Sequence, residues 1–265
     1  MATYTAFPSR PYAANLNLGS SFGGGLVYAA NFGIPRGWSR VGAQDQSVRN
    51  LVSNRPGIIG GAPDLTNFSQ GLPAGNIHSG TGPPVISINY SNLSMTPFPA
   101  QASIFALVRS FDFNGDRIVA GAKNSLLAVD PGIALHTTGG SEWGCTVSDG
   151  TTQQRTDTTG GARVVGVLGW QSICASYNSS GEFFNFFVNG QGNPFPSPLG
   201  IVPNLGTPAN AAAFNGFGGQ IACLYVWRRA LSRVQVMQLH ADPFLPLRYL
   251  EGRTPMAMGR QERPF

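Results

Sequence analysis

Residues 218–244 change their hydrophobic period halfway along, and that change constrains the fold more than any other stretch of the chain. From 220 to 228 the order alternates, with Ile221, Cys223, Tyr225 and Trp227 on one face of a strand and Ala222, Leu224 and Val226 on the other. Both faces are apolar, so this strand needs cover on both sides. After Leu231 the period turns helical: Ser232 suits an N-cap, and Val236, Leu239 and His240 recur at three- and four-residue spacing until Pro243 stops the helix.

A second segment, residues 170–190, reads as a hairpin. Ile173, Ala175 and Tyr177 alternate with Ser172, Cys174 and Ser176, and Asn178-Ser-Ser-Gly181 supplies a turn. Phe184, Phe186 and Val188 then share a face of the returning strand, and Asn189-Gly190 is a tight-turn dipeptide.

Together these segments resemble concanavalin A-like, laminin-G-like jelly-roll domains, of the kind found in bacterial and tailed-phage proteins. The carrying features are a strand opening at Trp170 with a Tyr177-Asn178 turn, a strand ending Val188-Asn-Gly190, and Trp227-Arg-Arg-Ala-Leu-Ser232 followed by a short helix and Asp242-Pro-Phe244. Similarity covers residues 163–244, and more weakly reaches back to about Val85. One departure stands out: the family often carries an acid where the helix begins, whereas this chain has Arg233-Val-Gln235.

The rest of the chain fits an all-β jelly-roll sandwich with one short C-terminal helix and extended ends. Strands are predicted over 85–90, 102–110, 117–122, 132–136, 144–148, 151–157, 164–167, 172–177, 183–188 and 220–228, close to the spacing of about 8–12 residues typical of a sandwich. Residues 1–82 are rich in Gly, Pro, Asn and Ser and read partly as an arm, with early parts able to add a strand or two. The sandwich is expected over 83–244. Residues 245–265, punctuated by Pro246, Pro255 and Pro264, read as an extended basic arm.

Charge narrows the function. Only 11% of residues are charged, well under the usual quarter, which suits a surface partly covered by neighbouring subunits. The excess charge of +5 is almost wholly arginine, Lys123 being the sole lysine, and arginine's flat, weakly hydrated fork suits protein interfaces. Arg248, Tyr249, Arg253, Arg260, Arg263 and Phe265 are the candidate assembly residues of the C-terminal arm. No dense basic stripe interleaved with aromatics argues for nucleic-acid binding. The N-terminus lacks a basic region followed by an apolar core, and no run of 18 apolar residues exists, so neither a signal peptide nor membrane insertion is expected.

Catalytic sets are mostly missing. Glycoside hydrolysis needs two carboxylates across the bond, and Glu142 and Glu182 are isolated. None of His78, His136 and His240 lies in a nucleophile motif. Cys145, Cys174 and Cys223 have no ligand spacing and read as buried thiols. Asp112, Asn114 and Asp116 place oxygens at alternating positions, a weak calcium candidate without the rest of a calcium loop, and no other cofactor is expected. Trp143, Asn185, Asn193 and Phe195 are the candidates for a sugar platform with polar partners. The expectation is a non-enzymatic virion structural protein of a tailed phage (capsid decoration, head fibre or tail-associated), oligomeric and held by its arms to other virion proteins. The alternative is a carbohydrate-binding module for host-surface glycans.

Overall fold

The computed structural model describes residues 21–31, 38–41, 45–52, 56–60, 75–77, 85–88, 100–110, 117–121, 132–138, 142–148, 151–157, 169–178, 183–195, 211–213 and 219–247. Its strands in chain order are β1 (Leu26–Asn31), β2 (Trp38–Val41), β3 (Asp45–Arg49), β4 (Pro56–Gly60), β5 (Gly75–Ile77), β6 (Val85–Ile88), β7 (Gln101–Ser110) and β8 (Arg117–Gly121). They continue as β9 (Gly132–Thr137), β10 (Trp143–Ser148), β11 (Gln153–Asp157), β12 (Gln171–Asn178), β13 (Phe183–Val188), β14 (Gln191–Phe195), β15 (Ala211–Ala213) and β16 (Gly219–Trp227). The helix α1 spans Arg233–Ala241, and a 3-10 turn spans Leu245–Leu247.

All pairings are antiparallel. The large sheet runs β1-β16-β7-β12-β13-β14, with β5 also on β16; the small sheet runs β11-β10-β9-β8, and a further ladder runs β15-β6-β4-β3-β2. The described residues therefore form an all-β sandwich with one short helix. The N-terminal zone supplies β1 and β5 of the large sheet and β2, β3 and β4 of the further ladder. Strand β14, beyond the strands expected from the sequence, follows the Asn189-Gly190 turn directly; it ends the sheet path, where its Pro194 is tolerated. The strand expected over 164–167 lies outside the described residues.

Two apolar layers explain the order. Ile104, Ala106, Val108, Ile173, Ala175, Tyr177 and Phe186 of the large sheet pack against Ile133, Leu135, Trp143, Cys145 and Val147 of the small one. The opposite face of the large sheet is also apolar: Phe105, Leu107, Cys174, Phe187, Cys223, Tyr225 and Trp227 meet Phe22, Val236, Leu239, Phe244 and Leu247. The core thus continues past Phe244 to Leu247, which is fully buried.

The alternation read for β16 is corrected at one point. Its pairing with β7 slips between Ile221 and Cys223, so Ile221 joins Leu224 and Val226 in the inner layer while Ala222 joins Cys223, Tyr225 and Trp227 in the outer one. A β-bulge of one extra residue switches faces in this way. A second bulge, between Leu26 and Tyr28 of β1, sends Leu26 outward and Tyr28 inward.

Helix α1 buries only Val236 and Leu239. Two such side chains contribute about 1.5–3 kcal/mol each, too little to order nine residues alone, so its ends must be held by polar contacts. They are. Ser232 and Gln235 form a capping box, in which the Gln235 N–H donates to Ser232 Oγ at 3.3 Å and the Ser232 N–H donates to Gln235 Oε1 at 3.1 Å. Gln235 Oε1 also accepts from Arg229 Nη1 at 3.0 Å while its Nε2 donates to the Ser21 carbonyl at 3.2 Å. A carboxylate in that place could not donate to Ser21, which gives a physical reason for the departure from the acidic residue.

The segment joining β16 to α1 is pinned from below. The Leu231 N–H donates to Ser103 Oγ at 2.9 Å, and Ser176 Oγ donates to the Leu231 carbonyl at 3.0 Å. Ser103 Oγ in turn donates to the Arg229 carbonyl at 2.9 Å. From the side, Trp227 Nε1 donates to the Phe22 carbonyl at 2.8 Å, and Arg229 donates through Nε to Gly24 and through Nη2 to Ser21, each at 2.6 Å. On the edge of β1, Asn50 imitates a neighbouring strand: its Oδ1 accepts from the Ala29 N–H at 3.1 Å and its Nδ2 donates to the Val27 carbonyl at 3.1 Å.

Replacing Ser103 by alanine orphans the buried Leu231 N–H and one lone pair of the Arg229 carbonyl. It should cost about 1–3 kcal/mol, read as a lower urea midpoint at unchanged slope. An unchanged midpoint would show that the Leu231 pin is not formed in solution. The three buried free cysteines should resist a thiol reagent such as Ellman's in the native state and react together in denaturant. Burial raises all three thiols, Cys223 to about 12, so little thiolate forms at neutral pH.

Candidate functional site

The four sugar candidates do not come together. Trp143 is fully buried, and its indole N–H donates to Gln171 Oε1 at 2.8 Å across the two sheets. It is core, which removes it as an exposed platform, and this corrects the expectation. Asn185 pairs with Ser176 and Pro194, whereas Asn193 pairs with Phe186 and Phe195 with Phe184. Strand alternation therefore puts Asn185 on one face of the sheet and Asn193 and Phe195 on the other. The Asn185 side chain is half-buried. The calcium candidates Asp112, Asn114 and Asp116, and the arm residues Arg248, Tyr249, Arg253, Arg260, Arg263 and Phe265, lie outside the described residues. Among the described residues no group of three His, Cys, Asp or Glu could hold a metal. No helix among them is long and apolar enough to cross a membrane.

The histidines are structural in geometry. His136 on β9 is fully buried, its Nε2 lying 2.9 Å from Thr146 Oγ1 and its Nδ1 3.1 Å from the Thr137 carbonyl. Register aligns Gly144 with His136 and Asp157, and Thr146 with Ala134 and Arg155, so the face of the small sheet turned away from the core carries polar positions. A strand of alternating Gly-Cys-Thr-Val-Ser carries that signal in sequence, although His136 itself sits in the apolar run Gly-Ile-Ala-Leu-His.

A Ser–His pair that sequence spacing hides forms between β12 and α1. Ser172 Oγ lies 3.0 Å from His240 Nδ1, bridging 68 positions of chain. Ser172 is buried at 3% exposure, so its hydroxyl is not presented to a substrate. The pair instead anchors the last turn of α1 to β12, next to the β13–β14 hairpin. Asn189 and Gly190 both hold positive φ, 52° and 73°, as the two-residue hairpin requires. Asn189 Oδ1 accepts from the Ser172 N–H at 3.1 Å, and its own N–H donates to the Ser172 carbonyl at 2.8 Å. A Cβ on Gly190 would stand 2.9 Å from His240 Cδ2.

Burial lowers the His240 pKa below its usual value. The folded state thus disfavours the charged ring more than the unfolded state does. Stability is full above about pH 6.5 and falls as acid protonates the unfolded chain preferentially. His240→Gln should flatten the decline of melting temperature between pH 7 and 5; an unaltered decline would assign it to other groups. Gly190→Ala should lower stability by about 1–3 kcal/mol, because alanine pays both for the left-handed backbone and for the crowding against His240.

No protein-family model matches the chain, and no curated protein matches it by sequence. Its fold does match solved structures. One is the CBM40 of a Ruminococcus gnavus IT-sialidase bound to α2,6 sialyllactose, at 15% identity and TM-score 0.50, over 63% of this chain and 96% of that one. A second is a leech intramolecular trans-sialidase complexed with 2,7-anhydro-Neu5Ac, at 15% identity and TM-score 0.50, over 60% of this chain and 26% of that one. A third is the binding domain of botulinum neurotoxin DC in complex with rat synaptotagmin II, at 11% identity and TM-score 0.57, over 85% of this chain and 52% of that one. The chain therefore spans about a quarter of the leech enzyme and about half of the toxin domain, while taking in nearly all of the CBM40. At such low identity the likeness is one of fold, the antiparallel β-sandwich.

Proposed function

We propose that this sandwich is a non-catalytic glycan-binding module. The observation that carries the reading is the match to nearly the whole of a CBM40 but to about a quarter of a trans-sialidase, the pattern of a binding module without its enzyme. The buried Ser172 and the Trp143 indole occupied by Gln171 fit a scaffold whose central residues are spent on packing. Recognition then falls to loops and edges, with the half-exposed Asn185 as the candidate on one sheet face and Asn193 and Phe195 of the edge strand as separate candidates at positions of the other.

The charge-poor, arginine-dominated composition supports a second role in the same chain. Residues 1–82 and 245–265 would anchor it to neighbours in a tailed-phage virion, as a capsid, head-fibre or tail component, with the sandwich displayed. Co-sedimentation with particles at a fixed copy number tests that role; a protein found wholly outside particles contradicts it.

For the glycan reading, the measurement is a glycan array followed by calorimetry with 3′- and 6′-sialyllactose, with and without calcium. The expected result is saturable binding to at least one glycan class, weakened about tenfold by Asn185→Ala. Absence of binding across the array in both conditions would overturn it.

A further inference from the structure

The solvent side of α1 carries an apolar stripe between exposed Arg233 and Gln238. Val234, Met237 and Ala241 recur at i, i+3 and i+7, on the arc opposite the buried Val236 and Leu239. Val234 is 64% and Met237 51% exposed, the large hydrophobic side chains that the described residues leave most open to solvent. The helix thus presents a second apolar arc, open to solvent, beside the one it buries.

The charge around this stripe says what kind of partner fits. Arg228 and Arg233 are exposed, and their side chains have no partner among the described residues. Arg229 spends its guanidinium on the carbonyls of Ser21 and Gly24 and the amide of Gln235, all neutral, so its charge is not cancelled. The first turn of α1 holds no acid, and its capping box uses glutamine. Arg228, Arg229 and Arg233 thus fall within six positions at the entry to α1, and the first turn of the helix holds no acid beside them. Arginine with methionine is also the composition that protein interfaces favour.

We propose that this face docks a partner protein through an acidic segment with an apolar side, carboxylates meeting Arg228, Arg229 and Arg233 while apolar side chains cover Val234 and Met237. Two other occupants fit worse. A second copy related by a two-fold axis brings the same arginine-rich surface against itself. The chain's own residues 248–265 carry Arg248, Arg253, Arg260 and Arg263 against Glu251 and Glu262, and so are net positive. The proposal is independent of glycan binding.

The test uses the full chain and a fluorescein-labelled amphipathic peptide of leucine and glutamate, with a leucine–lysine peptide as its counterpart. Fluorescence anisotropy should show the acidic peptide bound at least about tenfold more tightly than the basic one, and more weakly as salt rises. Arg233→Glu and Met237→Gln should each weaken it about tenfold at an unchanged melting temperature, since both side chains are exposed. Equal affinity for the two peptides, no binding, or binding indifferent to both variants overturns the proposal. A concentration-dependent dimer abolished by Met237→Gln would assign the face to a second copy instead. Binding that appears only after truncation at Leu247 would assign it to the chain's own C-terminus.

Discussion

Burial of the large sheet on both faces is the constraint from which the rest of this structure follows. A sheet with one wet face can stand on a single partner layer; β16, with Ile221, Leu224 and Val226 on one side and Cys223, Tyr225 and Trp227 on the other, cannot. The small sheet covers the first side. Among the described residues, α1, Phe22 and the stretch ending at Leu247 cover the second side. Because α1 brings only two buried side chains, that cover is held by polar clamps: Ser103 and Ser176 on Leu231, the Ser232–Gln235 box, and Ser172 on His240.

Those clamps link distant parts of the chain. Trp227, Arg229 and Gln235 all reach the carbonyls of residues 21–24, more than 200 positions away. The N-terminal turn, the closing strand and the helix therefore form one unit, so functional variation is left to loops, edges and the solvent side of α1. The interior is committed to packing, with Trp143 and His136 bonded within it and the half-buried His240 bonded at its margin.

Much of the fold was legible in the sequence because it rests on local periodicity and local turn chemistry. The period change at Leu231, the Ser232 cap and the Asn189-Gly190 turn each depend on residues within a few positions of one another, and each stands in the structure as read. What stayed hidden depends on long-range contacts. The slip that moves Ile221 to the inner layer is set by pairing with β7, and the use of Asn50 as a substitute strand is set by the exposed edge of β1. The site was less legible still. Trp143 carries the composition of a sugar platform, but its neighbour Gln171 lies 28 positions on, and no local pattern shows that the pair closes the core. Ser172 and His240 meet only once the helix docks.

The central claim is that the helix and its clamps belong to the folded core as a second cover. Native-state hydrogen exchange resolved by residue tests it most directly. The account requires the Leu231 amide and the buried turns of α1 to exchange through the same global opening as the amides of β16 and β7, at a common free energy that falls together with added denaturant. If Leu231 and α1 instead exchange by local opening, at rates near those of exposed loops while β16 and β7 stay protected, the sheet does not need that cover and the account fails.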